Sequence, residues 1–219
     1  MGNFLCSSIG KKLIMSLSGL FLLVFLLVHV ALNLAALVSK ELYDEVCHFM
    51  DVNPLVQIMV PILALGFILH ILFSFYVEFE NWTARPRGMK YAVACKTKAS
   101  WSGRNMFVLG IIVVVGILLH LLHFWSHMQL QHFIGREGSN AYELLTALFS
   151  KWYWCLLYLI WFAAIYFHVS HGFWSAFQTL GASNSIWIPR LQFLAKLYAA
   201  CVFLAFAAVP VCFYLGLRG

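Results

Sequence analysis

Histidine is the residue type whose positions in this chain are the most suggestive of chemistry. Six histidines fall within long apolar stretches: His29, His70, His120, His123, His168 and His171. An ionisable side chain is costly inside a bilayer and usually marks a functional site. A lone histidine of this kind is often a hydrogen-bonded packing residue, but four stretches that each carry one are harder to explain that way. The pattern favours a site that binds a metal or a cofactor.

The stretches that carry the histidines are long enough to cross a membrane. The chain has 219 residues, of which 63% are hydrophobic and 10% charged, whereas soluble domains average about 25% charged. A transmembrane helix needs ~20 mainly apolar residues. Five stretches meet this requirement, at about 13–38, 54–78, 104–128, 152–177 and 191–217. We therefore predict an all-α integral membrane bundle of five transmembrane helices, with a four-helix core around the histidines and a single domain over residues 1–219.

The position of each histidine along its predicted helix separates the group into two levels. His29 and His120 each lie ~16 residues, or ~24 Å, into a helix that starts on one side of the membrane. His70 and His168 lie ~16 residues into helices that start on the other side, and His171 follows one turn later. Two histidines at each level suit two haems with paired histidine ligands. They suit zinc less well, because zinc takes three or four ligands at one place.

Lysine and arginine are concentrated in alternate connections. The N-terminal end, the second connection and the fourth connection carry most of them, at Lys11, Lys12, Arg85, Arg87, Lys90, Lys96, Lys98, Arg104 and Arg190. The positive-inside rule then predicts a cytoplasmic N-terminus and a C-terminus outside. The same bias explains the net charge of +6 without a nucleic-acid partner. The basic second connection could also bind lipid head groups or a cytoplasmic partner protein.

The order and spacing of several motifs resemble one family of membrane proteins. The motifs are Ser18-Gly-Leu-Phe21 before His29 and Asn33, His70 before Ala84-Arg-Pro86, Ser102-Gly-Arg-Asn-Met106 before His120-Leu-Leu-His-Phe-Trp125, and the stretch that begins with His171-Gly-Phe-Trp174. The chain resembles the cytochrome b membrane-anchor subunit of succinate dehydrogenases and fumarate reductases, in the single-subunit form with five helices and two haems. The resemblance covers nearly the whole chain.

The resemblance implies which histidines bind iron. A distal haem b would be held by His29 and His120, and a proximal haem b by His70 and His171. Depth alone slightly favours His168 over His171, but His171 begins the matching His-Gly motif and is the expected ligand. Ser16 matches a family position near the proximal haem propionates, and Arg104 and Gln178 lie at a suitable level for the same role.

The resemblance also implies a quinone site near the outer surface. In related fumarate reductases a carboxylate after the first helix supplies protons there, and the candidates in this chain are Glu45, His48 and Asp51. Each of them could instead be an ordinary residue of a solvated loop. Menaquinone is the expected quinone, because it is commonly used by the two-haem form of the family.

The implied function is that of an electron-transfer anchor in a succinate:quinone oxidoreductase of a bacterial inner membrane. The chain has no GxGxxG fingerprint and no cysteine cluster, so flavin and iron–sulfur chemistry would belong to a flavoprotein subunit and an iron–sulfur subunit on the cytoplasmic face. Complexes of the family often dimerise. Two alternatives stay open: a two-haem anchor of a formate dehydrogenase or hydrogenase, and a haem-free membrane transporter.

Overall fold

A computed structural model describes residues 7–83 and 100–217. Its helices in chain order are α1 (Ser8–Val38), α2 (Lys40–Val52), α3 (Pro54–Thr83), α4 (Trp101–Arg104), α5 (Met106–His120), α6 (Gln129–Phe133), α7 (Ala141–Phe149), α8 (Trp152–Thr179) and α9 (Trp187–Leu215). A π-helical segment, Leu121–Trp125, extends α5. The predicted basic residues Arg85, Arg87, Lys90, Lys96 and Lys98 lie outside the described residues, as does the motif at 84–86.

The five predicted spans are confirmed as five helices long and apolar enough to cross a membrane: α1, α3, α5 with its π segment, α8 and α9. The observed helices extend beyond several of the predicted limits. α1 begins at Ser8, where the side chain of Ser7 accepts a hydrogen bond from the amide of Gly10 at 3.0 Å. Such a cap satisfies one of the free amides of a first helical turn.

The first connection is a helix, which the sequence analysis did not predict. α2 begins after Ser39, whose hydroxyl accepts from the amide of Leu42 at 3.1 Å. It is amphipathic, and Tyr43 is its buried residue. The prediction missed it because α2 is only 13 residues long and is rich in charged residues, so an apolar-span criterion cannot detect it.

A short amphipathic helix, α7, precedes the fourth span. Its cap is Asn140, whose side-chain oxygen accepts from the amide of Glu143 at 3.0 Å. One face of α7 is buried, through Ala141, Tyr142, Leu145 and Phe149. The amphipathic face therefore packs against the bundle, in contact with α2, α8 and α9.

The core of the bundle lies where α8 and α9 pack along each other and against α1. Phe162 of α8 stacks on Phe206 of α9 with ring centroids 5.3 Å apart. Small residues of α9, Ala195 and Ala199, are almost fully buried and allow close helix approach. Many other large apolar side chains of the spanning helices, such as Val24, Leu65 and Leu204, are exposed, as expected of helices whose outer faces meet lipid rather than water. α3 and α5 close the bundle against α1 and α8 respectively.

Candidate functional site

One pair of histidines lies between α1 and α5. The rings of His29 and His120 have centroids 5.8 Å apart and planes at 86°. Phe25 and Phe206 lie beside the ring of His29, at 5.2 and 5.8 Å. The amide of Asn33 donates to the carbonyl oxygen of His29 at 2.8 Å and lies 3.4 Å from its Nε2. Two imidazole rings therefore face each other, with aromatic side chains beside them.

A second pair lies between α3 and α8. The rings of His70 and His168 have centroids 6.4 Å apart and planes at 76°. Nδ1 of His70 lies 3.3 Å from the hydroxyl of Ser18 and 3.3 Å from the carbonyl oxygen of Met15. These contacts to α1 occupy one ring nitrogen and leave Nε2 for another partner. Carbonyl and hydroxyl contacts of this kind orient histidines that bind metals.

The separations within both pairs fit an iron atom held between two imidazoles. A bond from a first-row metal to a histidine nitrogen is ~2.0–2.1 Å long, so two ligands on opposite sides of one metal have ring centres about 6 Å apart. The observed values of 5.8 and 6.4 Å agree with that spacing. Within the described ranges no three His, Cys, Asp or Glu residues gather as a metal site.

His168 carries an additional signature of a ligand. Its Nδ1 is buried and has no hydrogen-bond partner among the described residues. A buried polar atom without a partner costs about 1–3 kcal/mol, and such atoms in native proteins usually have a functional reason. Cofactor binding at this ring provides one. The ring of His168 therefore fits, together with that of His70, a site that could hold a haem between them.

His171, the expected fourth-helix ligand, lies in a different environment. Its Nδ1 is 3.2 Å from the hydroxyl of Ser100, which also caps α4 by accepting from the amide of Gly103. A Cβ on Gly103 would lie 2.7 Å from Cε1 of His171, so the ring packs directly on the backbone of α4. The structure thus pairs His168, and not His171, with His70, because His171 is one helical turn further towards the end of α8.

His123 lies in the π segment and is directed away from the pair of His29 and His120. The amide of Ser126 donates to the carbonyl oxygen of Leu121, five residues earlier, at 2.8 Å. This wider turn changes the rotation per residue, and π turns of this kind are frequent at functional sites. Nδ1 of His123 lies 3.0 Å from the hydroxyl of Tyr158 on α8. His120, which precedes the π segment, therefore faces His29, whereas His123 within the segment faces α8.

The residues predicted to hold haem propionates are found at one end of the bundle. Ser16 is buried in α1 with 5% of its surface exposed. Arg104 is the last residue of α4 and Gln178 lies in the last turn of α8, both exposed. Their predicted role remains a prediction.

The three residues predicted for quinone lie on α2. Glu45 and His48 are exposed, whereas Asp51 is partly buried and its carboxylate lies 3.5 Å from Nε2 of His132 on α6. Sequence reasoning did not single out His132. No local signal was available, because the contact joins two short helices from distant parts of the chain.

Sequence comparison identifies one relative of this chain. Over 187 residues, 85% of this chain and 85% of the relative, it is 24% identical to the succinate dehydrogenase cytochrome b558 subunit of Bacillus subtilis (strain 168). No family model and no solved structure matches the chain. The similarity to this relative confirms the resemblance found in the motifs, and the five long apolar helices support a multi-pass membrane protein.

Proposed function

We propose that this chain is the membrane anchor and electron-transfer subunit of a succinate:quinone oxidoreductase, and that it carries two haems b. The observation that carries the proposal is the pair of facing histidines at each of two positions in the bundle, with ring centroids 5.8 and 6.4 Å apart. The relative named as a succinate dehydrogenase cytochrome b558 subunit supports the same function.

The proposed axial ligands are His29 with His120 for the distal haem and His70 with His168 for the proximal haem. His168 takes the place of His171 in this proposal because its ring faces His70 and because its buried Nδ1 is unpaired among the described residues. His171 is bonded to Ser100 at 3.2 Å, so the ring would have to break that contact and turn to reach iron.

The neighbouring residues would orient the ligands. Haem iron supplies one-electron transfer when bound, with a potential that depends on the axial ligands and their hydrogen bonds. Ser18 and the carbonyl of Met15 hold the ring of His70, and Asn33 lies against that of His29. Ser16, Arg104 and Gln178 are proposed donors to haem propionates, which carry negative charge near a membrane face.

The positive-inside rule sets the proposed orientation. The N-terminus and the inner pair, His70 with His168, lie towards the cytoplasm, where an iron–sulfur subunit and a flavoprotein subunit would dock. The outer pair, His29 with His120, lies nearer the opposite surface, where α2 carries the candidate quinone residues Glu45, His48 and Asp51. We propose menaquinone as the quinone, a bacterial inner membrane as the location and a dimer as the assembled form of the complex.

The test is a spectrum of the purified complex. Reduction with succinate should produce b-type absorption bands in a reduced-minus-oxidised spectrum, and extraction should yield two haems per copy of this chain. Haem that is reduced by formate or hydrogen but not by succinate would assign the anchor to another dehydrogenase. A preparation without b-type bands would indicate a haem-free membrane protein and overturn the proposal.

A further inference from the structure

The imidazole of His120 has no hydrogen-bond partner among the described residues. The other proposed ligand of the outer pair, His29, has the amide of Asn33 at 3.4 Å from its Nε2, and His70 of the inner pair has two polar contacts at Nδ1. A histidine that binds a metal usually donates its second ring N–H to a carboxylate, a carbonyl or water, and that bond fixes the orientation of the ring. Side-chain packing must therefore set the orientation of His120.

Two aromatic side chains lie beside the ring of His120 at small interplanar angles. The ring of Trp161 on α8 has its centroid 5.9 Å from that of the imidazole, with the two planes at 33°. The ring of Phe124, one turn after His120, lies at 5.3 Å and 39°. The ring of His29, by contrast, meets His120 at 86°. The plane of the His120 imidazole thus follows the planes of its aromatic neighbours.

The indole of Trp161 is fixed in place by α5, the helix that carries His120. Its Nε1 donates a hydrogen bond to the carbonyl oxygen of Val113 at 3.1 Å. A Cβ on Gly116 would lie 2.0 Å from Cδ1 and from Nε1 of the indole, so the indole occupies the space that a larger side chain would fill. Val113 and Gly116 precede His120 by seven and four residues, which places all three on one side of the helix. The helix that supplies the ligand therefore also fixes the indole beside it.

Tyr158 holds the same aromatic rings from another side. It is buried, with 4% of its surface exposed. Its ring lies nearly perpendicular to that of Trp161, at 5.5 Å and 83°, and to that of Phe124, at 6.4 Å and 90°. Such edge-to-face contacts are the favoured arrangement of aromatic pairs. The indole of Trp161 is therefore restrained by a hydrogen bond to α5 and by a buried ring of its own helix, and it cannot turn freely beside His120.

We propose that Trp161 is a positioning residue of the distal haem site, whose indole sets the plane of the His120 imidazole; the inference rests on the proposed function. Trp161 acts through His120 and does not bind iron itself. In an oxidised haem with two imidazole ligands, the largest g-value rises with the angle between the ring planes and is greatest when they are perpendicular. The planes of His29 and His120 stand at 86°. Because this angle is near its maximum, releasing the ring of His120 must lower the g-value.

Electron paramagnetic resonance of the oxidised, purified complex measures this g-value, and the distal signal is the one that His120→Gln removes. Trp161→Phe keeps an aromatic ring but loses the N–H donor, whereas Trp161→Leu removes the ring altogether. Both variants should retain two haems per chain, because the ligands are intact. The largest g-value of the distal haem should fall in both, and further in Trp161→Leu. Gly116→Ala should also lower it, since the added methyl displaces the indole and leaves Trp161 in the chain.

Trp154→Leu is the matched control, since Trp154 is a half-buried tryptophan two turns earlier in α8 whose ring lies 4.6 Å from that of His123. It should leave the distal g-value unchanged. If Trp161→Leu does not assemble, Trp161→Phe decides.

Two results would overturn the proposal. One is a wild-type g-value in the variants of Trp161, even where their stability falls, because a merely structural residue would behave in that way. The other is an equal decrease in Trp154→Leu. Haem content is measured in each sample. Fewer than two haems per chain in the wild type would reject the proposed function as well, whereas two haems whose signals do not respond to Trp161 would reject this inference alone.

Discussion

The ring of His70 faces that of His168 at a centroid distance of 6.4 Å. This contact joins α3 to α8. On the neighbouring helix α1, the hydroxyl of Ser18 and the carbonyl oxygen of Met15 each lie 3.3 Å from Nδ1 of His70. His171, one turn along α8, is bonded to Ser100 instead. The two histidines of α8 therefore have different surroundings, and substitutions can separate their roles.

The first prediction concerns these two histidines. His168→Leu should reduce the haem content of the purified complex from two haems per chain to one, because iron loses one of its two imidazole ligands. His171→Gln should retain both haems, since glutamine can keep a hydrogen bond to Ser100. Haem extraction and a reduced-minus-oxidised spectrum measure the result. Loss of a haem in His171→Gln with normal content in His168→Leu would restore the assignment expected from the motif.

The second prediction concerns the outer pair and the π segment. His120→Gln should remove the distal haem, whereas His123→Gln should retain it, because the ring of His123 is bonded to Tyr158 at 3.0 Å and not directed to His29. Tyr158→Phe removes the same hydrogen bond from the other side and should likewise retain two haems. The measurement is again haem per chain. A distal haem lost in His123→Gln but kept in His120→Gln would reassign the ligand.

The third prediction concerns the hydroxyl of Ser18, which lies 3.3 Å from Nδ1 of His70. Removing an acceptor from a ligating histidine makes the ring less basic and favours reduced iron. Ser18→Ala should therefore raise the midpoint potential of the proximal haem. A hydrogen bond of ~0.5–1.5 kcal/mol corresponds to about 20–65 mV for one electron.

A potentiometric titration monitored by the b-type bands measures this shift. Ser74→Ala is the matched control, since the hydroxyl of Ser74 donates to the backbone carbonyl of His70 at 2.7 Å and leaves the ring untouched. In Ser74→Ala the midpoint potential of the proximal haem should stay at the wild-type value. Equal shifts in both variants would show that the ring contact of Ser18 has no specific effect.

The fourth prediction concerns the packing of α5 against α8. A Cβ on Gly116 would lie 2.0 Å from Cδ1 of Trp161, and the indole nitrogen of Trp161 donates to the carbonyl of Val113 at 3.1 Å. Gly116→Ala must displace this indole and should lower the free energy of unfolding by about 1–3 kcal/mol. Unfolding of the purified protein in detergent, by heat or denaturant, measures the loss.

Gly172→Ala is the control for this packing prediction. Its Cβ would lie 3.4 Å from the terminal methyl of Met106, a flexible group that can give way. Its stability should stay close to that of the wild type. An equal stability of Gly116→Ala and the wild type would show that Trp161 has room to move.

The sequence was sufficient to predict the architecture of the membrane spans. Length and hydropathy identify such helices because a bilayer requires ~20 consecutive apolar residues with internally satisfied backbones. The same rule cannot detect α2 or α6, which are short and polar. Those helices carry Asp51 and His132, so the sequence offered Asp51 as one of three candidates and did not offer His132.

The sequence also determined that the histidines fall at two depths, because residues rise along a helix by a constant ~1.5 Å. Which ring faces which partner depends on the rotation of each helix about its axis and on local changes in helical turn. A rotation of α8 decides between His168 and His171, three residues apart in one helix. The π segment likewise decides between His120 and His123. Packing between helices sets these rotations, and for that reason only the tertiary structure could pair His70 with His168.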